Sequence, residues 1–529
     1  MDDQKHLATV SFENGTKHVD RRSFMQGAGR LAVGGLVLRP SLGQVQVSGR
    51  KARLLIETDG PARLEVRGSG DEMYQPSCAL MDRTVLKRPE TGRYYPGHFT
   101  SAGTAVLELP TGQYTIIAEK GLEFQRIEST VDLKSDQNVR LVPQRWAHMA
   151  ADGWWSGDLH IHRPPEDAKA LLAAEDLNFG VFITMWDKEN YWRDKSLPGD
   201  PTVRADAIHV GTVMNAEDER GGGAWMMHNL KKPLALGDAE RWYPQGRTFV
   251  KQAKAQGAWI DSEKPIWWEV PVMAATDHLD SMGVVHNHYN QYGMFANEAW
   301  GRPRDQELYP GRDGFSKYSQ SLYHRYLNLG RLYPPTAGSA SGVLPAPPGY
   351  NRVYAHAPEG LSTESFYAAL RAGRVFATNG PLLTFKVNGK PLGSTVEVTS
   401  GRPLQVTVQA RAREPIDRVE VVANGRTVAE ALDSKLEAEI DPKNYTWLAA
   451  RCTLKTEFTI RLAHTNPIYL RGDRQGWDVA DDKAYFLRWI DDLIAASESD
   501  SGRFANVDQR DEVLAIYKTA REHYLALKT

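Results

Sequence analysis

The stretch Asp158-Leu159-His160-Ile161-His162 constrains this chain more than any other. In a β-strand alternate side chains share a face, so the two histidines point the same way out of an apolar run. That arrangement reads as the first half of a metal site. A second pair, His286-Asn287-His288, ends another apolar run, Met282-Gly283-Val284-Val285. One His-x-His alone is a weak signal. Two of them, each closing a predicted strand, point to a buried cation. Unrelated histidines bonded to backbone carbonyls are the competing explanation.

Length and charge bound what surrounds that site. A chain of 529 residues exceeds one hydrophobic core and predicts two to four domains. The formal net charge is −2, so no global basic field exists to attract nucleic acid. No window approaches the roughly 20 apolar residues that a transmembrane helix needs. Eleven of the 14 tryptophans lie between Trp146 and Trp300, and ten of the 15 histidines between His148 and His356, which places the chemistry mid-chain. The two cysteines, Cys78 and Cys452, are too few for a zinc cluster. They are equally compatible with a disulfide in an exported protein and with two buried thiols.

The N-terminus carries an address. Asp20-Arg21-Arg22-Ser23-Phe24-Met25-Gln26 resembles a twin-arginine export signal, and a Gly/Ala-rich segment from Gly27 to Leu38 follows it. Residues 1–45 are therefore expected to be a targeting segment, and the protein to be periplasmic or extracellular.

Beyond it the pattern changes three times. Residues 46–149 alternate apolar and polar in short runs (Ala52–Glu57, Ala62–Arg67, Ala105–Leu109, Tyr114–Glu119, Asn138–Val142), predicting an antiparallel β domain. Across 150–380, strand-like runs (Gly180–Met185, His209–Met214, Gly257–Ile260, Met282–His286) alternate with helical ones at Pro165–Leu177 and Arg247–Gln256. This is the signature of parallel β/α units, whose ligands sit at the C-terminal ends of the strands. Both histidine pairs fall there. Residues 381–475 return to short strands, including Leu404–Ala410 and Arg418–Val422, with a turn at Asn424-Gly425. Residues 476–529 predict two amphipathic helices, Lys483–Ala495 and Arg510–Leu527.

The central region resembles the CehA/McbA-type metallohydrolases of the PHP (polymerase and histidinol phosphatase) superfamily. The resemblance covers roughly residues 150–400. It rests on Gly157-Asp158-Leu159-His160-Ile161-His162, on His286-Asn287-His288, and on Leu370-Arg371-Ala372-Gly373-Arg374-Val375-Phe376-Ala377-Thr378-Asn379-Gly380-Pro381. It implies a distorted (β/α)7 barrel, here flanked by N- and C-terminal β-sandwich-like domains and a helical tail. It also implies a one-to-three-metal site and hydrolysis of phosphate or carboxylic/carbamic esters. His160 and His162 match the opening ligand pair. Glu217, after the run His209–Met214, is the preferred bridging ligand, with Glu219 next. His288, or else His286, matches the later strand histidine. Two positions depart from the pattern. Thr184-Met185-Trp186-Asp187 lacks the family's histidine and leaves Asp187 in its place. Ala337-Gly338-Ser339-Ala340-Ser341-Gly342 carries Ala340 where the family has a metal-binding Asp.

Histidine nitrogen with carboxylate oxygen suits Zn, Mn or Fe, and the surviving ligands support one or two ions per chain. Such an ion lowers the pKa of bound water towards about 7. A proton shuttle must also lie within hydrogen-bond reach; Asp187, Glu219, His228 and His278 are the candidates, each also readable as an ordinary polar residue. Arg220 with Gly221-Gly222-Gly223 is an anion-clamp candidate, and Arg352 a second cationic contact. Trp154, Trp155, Trp186, Trp192, Trp267 and Trp268 either line an aromatic cleft, Trp186 foremost, or fill interfaces. The substrate is expected to be a small molecule or carbohydrate-derived, acted on by an ester hydrolase. A metal-dependent lyase or glycoside-cleaving enzyme, and a non-catalytic ligand- or polymer-binding barrel, are the alternatives.

Overall fold

The computed structural model describes residues 50–70, 72–76, 80–81, 86–87, 94–95, 97–399, 401–472, 476–500 and 502–528. The expected targeting segment and Cys78 lie outside them. The described chain divides into two compact units.

The first unit contains the described residues up to Ala147, with Ala173–Asp176 and Gly342–Pro347. Its strands show the period-two burial that a half-buried sheet demands: in Lys51–Glu57, Ala52, Leu54 and Ile56 are buried between exposed neighbours. A three-stranded sheet runs in the order Gln137–Arg140, Lys51–Glu57, Thr104–Pro110. A six-stranded sheet is centred on Ala62–Gly68 and Gly112–Glu119. The inner faces of both feed one core containing Leu54, Ile56, Leu64, Val66, Leu107 and Ile116. Two sheets on one core agree with the sheet-rich domain expected here, but Gln137–Arg140 pairs in parallel with Lys51–Glu57 where antiparallel pairing was expected. The strand Ile127–Leu133 was not expected from the sequence, because its outward positions (Glu128, Thr130, Asp132) mask a short apolar face.

The second unit is mixed α/β. One sheet of 12 strands runs from Thr202–Arg204 through Val210–Thr212, Phe179–Phe182, Trp154–Ile161, Arg352–His356 and Val375–Thr378 to Leu462–Thr465 and beyond. A seven-stranded sheet orders Glu189–Asn190, Met185–Trp186, Ala216–Arg220, Gly223–His228, Trp259–Ser262, Ser281–Val285 and Pro335–Ala337. Among the described residues no sheet closes on itself. Trp154–Ile161 pairs in parallel with Phe179–Phe182, which pairs in parallel with Val210–Thr212, and Ser281–Val285 lies parallel to both its neighbours. Phe179–Phe182 and Ser281–Val285 are buried at every position, as expected of strands covered on both faces. The two sheets meet at the histidine strand, where His162 N donates to Ser341 O and Ala340 N to His160 O.

The C-terminal strands, expected as a separate β domain, divide: Leu462–Thr465 pairs with Val375–Thr378 and carries the larger sheet on to Trp447–Leu454 and Ile416–Ala423, whereas Leu382–Val387, Leu404–Arg411 and Lys435–Ile440 form a three-stranded sheet of their own. Residues 381–475 and the terminal helices belong to this same unit. The Asn424-Gly425 turn joins Ile416–Ala423 to Arg426–Ala431, and both residues have positive φ (46° and 82°), as a two-residue hairpin of this twist requires. The terminal helices are Ala480–Ser499 and Val507–Ala526, the second capped by the Asn506 side chain. An 18-residue helix, Gly311–Asn328, escaped sequence reading. Its buried face (Phe315, Tyr318, Leu322, Tyr323, Tyr326) has helical spacing, but tyrosines and first-turn glycines disguise it. Among the described residues no helix is long and apolar enough to cross a membrane.

That helix is tied to the larger sheet by a buried histidine pair, His324 Nε2 and His464 Nε2 lying 2.9 Å apart. His464 Nδ1 lies 2.8 Å from the Thr465 carbonyl and can only donate to it, so its Nε2 must accept. Burial pushes His464 down to about 4 and His324 well below its ordinary 6.5. Both rings are neutral in the fold, whereas in the unfolded chain they take up protons below pH 6.5. Stability is therefore full above that pH and falls as the pH drops towards 4. By linkage His464 alone removes on the order of 2 kcal/mol between pH 7 and pH 5. Urea unfolding across this range measures the loss, and the His324→Asn/His464→Asn double variant should show a shallower pH dependence.

Candidate metal centre

The site starts at an irregularity. Pairing of Trp154–Ile161 with its parallel neighbour shifts register between Asp158 and Ile161. There the His160 amide bonds the Asp158 carboxylate at 3.0 Å. Such breaks re-aim side chains, and bulges recur beside functional sites for that reason. Asp158 is fully buried and also accepts from Ser339 N, Ser339 Oγ and Gly349 N. Burial pushes its carboxyl up, and these donors pull it back. Leu159 and Ile161 flank His160 and pack into two different apolar clusters, one with Phe179 and Val181, the other with Leu172 and Phe182. The strand holds the histidines while its neighbours are locked on either side.

His160 Nε2 lies 2.9 Å from His162 Nε2, His162 Nε2 lies 2.9 Å from Glu217 Oε2, and His160 Nε2 lies 3.4 Å from the same oxygen. Ligand atoms around a tetrahedral zinc with bonds near 2.0–2.1 Å are separated by about 3.3 Å. Among the described residues this is the one group of three or more His, Cys, Asp or Glu side chains with all ligand atoms within 4.8 Å of one another. Glu217 Oε2 is buried and makes no well-aligned hydrogen bond, although both ring nitrogens point at it. The residues present fit a cation. Burial would push the Glu217 carboxyl up, but His160 and His162 outweigh it and hold it well below the ordinary carboxylate range. Burial drives His162 down, while Glu217 keeps His160 above its ordinary value against its own burial.

Other expected residues stand close by. The Trp186 ring lies 4.7 Å from that of His162, and its Nε1 donates to Glu219 Oε2 at 3.1 Å. Asp187 donates its amide to Glu217 O and receives Glu219 N on Oδ1 at 2.7 Å. Burial, then Glu219 and Asp218, push the Asp187 carboxyl up to about 9. His228 is fully buried beside the Leu159 carbonyl, and burial together with His160 pushes it down to about 3, so it stays neutral.

Several expectations need correction. His286 and His288 do not join the three-atom group. His286 Nε2 reaches Ser319 Oγ at 3.1 Å, and the His288 ring stacks on Phe315 at 5.5 Å, so both are turned to the helix Gly311–Asn328. His278 precedes Ser281–Val285 while His286 follows it, and five strand residues span about 16 Å. His278 is held there by Thr276 Oγ1 and takes no part in the site. Arg220 is not an open anion clamp: its Nη2 bonds Asp218 Oδ2 at 2.8 Å and its Nη1 the Glu240 carbonyl at 2.7 Å. Gly221 N is taken by Arg241 O, and a Cβ on Gly222 would lie 2.1 Å from Glu269, so these glycines serve close packing. Arg352 is fully buried and bonds Gly349 O and Ser156 Oγ, away from any solvent-borne anion. Of the six tryptophans, Trp186 lies tilted against His162, whereas Trp155 and Trp192 bond Ala357 O and Thr184 Oγ1, and Trp267 stacks on Trp300.

Sequence reading missed the acidic end of the neighbouring strand, Asp261-Ser262-Glu263-Lys264. Glu263 Oε1 lies 3.8 Å from His160 Nδ1. Burial pushes Asp261 up to about 7 against the Ser281 and Thr336 hydroxyls that donate to it. The available signal was charge ending an apolar run, Gly257–Ile260. The loop that carries Ala340 also matters. Gly338 abuts the ligand, since a Cβ there would sit 2.5 Å from His160 Cβ.

No protein-family model matches this chain, and a search of curated proteins likewise returns no match.

Gly338→Ala should displace His160 and weaken zinc binding at least tenfold without unfolding the protein, as titration calorimetry would show. Asp158→Ala leaves buried amides unsatisfied and should cost on the order of 3–5 kcal/mol of unfolding free energy in denaturant.

Proposed function

We propose that this chain is a metal-dependent hydrolase that cleaves an ester-type bond, a phosphoester or a carboxylic or carbamic ester. The observation that carries the reading is the buried convergence of His160, His162 and Glu217. Three ligands of this kind suit one Zn, Mn or Fe ion with a position open to water. When bound, such an ion supplies Lewis-acid activation of a water nucleophile near neutral pH. The parallel strand pairings, and the two hydrogen bonds joining the sheets at the histidine strand, support reading the fold as a PHP-like distorted barrel. The choice of ester bonds rests on the family resemblance alone, and export by the twin-arginine route on the Arg21-Arg22 motif.

The chain's own residues have definite tasks in this reading. His160 and His162 hold neutral nitrogen towards the centre, and Glu217 supplies the negative charge that makes a cation stable in a buried site. Trp186 covers the His162 side and limits water there. Asp187 has one oxygen taken by the Glu219 amide, which leaves Oδ2 as the atom to carry a proton towards a leaving oxygen.

Purified protein should contain a stoichiometric transition metal and turn over aryl phosphates or aryl esters. A chelator should abolish this activity, and zinc or manganese should restore it. His160→Ala should lose both metal and turnover, by a factor of 100 or more. Metal-free protein with full activity, or turnover confined to aryl glycosides, would contradict the reading.

A further inference from the structure

A histidine that ligates through one ring nitrogen must do something with the other. His160 directs Nε2 at His162 and Glu217, while its Nδ1 is buried with no hydrogen-bond partner among the described residues. An imidazole nitrogen left bare in the interior loses its hydration with nothing in return. The Glu263 carboxylate faces it at 3.8 Å, about an ångström beyond a charge-assisted hydrogen bond.

Glu263 is itself firmly placed. It directly follows the strand Trp259–Ser262, and its amide bonds Ala224 O. Trp267 Nε1 donates to Oε2 at 3.1 Å, and Lys264 Nζ bonds both carboxylate oxygens. A Cβ on Gly283 would lie 2.2 Å from the Glu263 carbonyl, so the next strand carries a glycine to let this backbone in. Lys264 is fully buried and lies 4.6 Å from the centre of the Trp267 ring. A buried ammonium needs a counter-charge, and Glu263 supplies it.

We infer that Glu263 is a positioning residue of the metal centre. Its carboxylate receives the Nδ1 proton of His160, fixes the tautomer that presents Nε2, and raises the basicity of that ligand. Lys264 shares the same carboxylate and so tempers its pull on the ring. The inference rests on reading His160, His162 and Glu217 as a cation site. Carboxylates in this outer position change metal affinity by about 10- to 100-fold when removed.

The test uses the full chain, with zinc affinity measured by competition against a chromophoric chelator and the visible spectrum recorded after cobalt loading. Glu263→Gln should weaken zinc binding by about 10- to 100-fold and shift the cobalt bands. The Glu263→Gln/Lys264→Met double variant removes both charges together and guards against misfolding from an uncompensated lysine; it should show the same two changes. The thermal melt of the metal-free double variant should agree with wild type, whereas Glu263→Gln alone, with its lysine uncompensated, melts lower. If wild type binds no zinc, the centre itself is misread. If wild type binds zinc and both variants bind it within twofold with an unchanged cobalt spectrum, Glu263 has no positioning role. Weaker binding in the double variant that comes with a lowered metal-free melting temperature and unshifted cobalt bands would also overturn the proposal, because that marks a purely structural residue.

Discussion

Four donors converge on the buried carboxylate of Asp158, and the site depends on that convergence. One donor is the amide of His160, which leaves the regular ladder to reach it. Two come from Ser339 and one from Gly349, far along the chain. A single side chain thus sets the local twist of the histidine strand and pins a distant loop against it. Buried carboxylates are costly unless fully satisfied, and here the cost is offset by hydrogen bonds that also impose geometry.

The electrostatics follow from where that carboxylate places the rings. Two histidines and a glutamate share a small volume that excludes solvent, and a second carboxylate, Glu263, stands behind them with its own buried lysine. Each charge taken alone is unfavourable in such surroundings. Together they form an alternating set: lysine, glutamate, histidine, glutamate. A divalent cation held between the rings and Glu217 would take over the positive place in this series, with the ligating rings neutral.

Much of this was legible in the sequence, and the reasons are specific. Period-two alternation reported the sandwich, since one face of each strand meets solvent. The His160/His162 pair and Glu217 were readable because they end apolar runs, where strand geometry aims side chains out of the packing. His286 and His288 have the same local pattern yet turn to a helix, and that helix was hidden behind tyrosines. Arg220 has its partner Asp218 only two residues away, but in a strand nothing in the spacing shows that the pair closes; Arg352 is bonded by Gly349 close in sequence and by Ser156, which reaches it only through the fold. Glu263 went unnoticed for a related reason. It serves the site through its neighbour's ring, and indirect roles leave no spacing to read. The continuity of some C-terminal strands, Leu462–Thr465 among them, with the larger sheet was hidden too, because a change of pattern in sequence marks a change of burial and not a break in hydrogen bonding.

The close approach of Gly338 to His160 has a consequence for which pairs of side chains these two positions can hold. The two positions are sterically coupled: a Cβ at 338 and the His160 side chain in its present place compete for one volume. A side chain larger than hydrogen at 338 is therefore compatible with this backbone only where position 160 carries something smaller than histidine or moves aside.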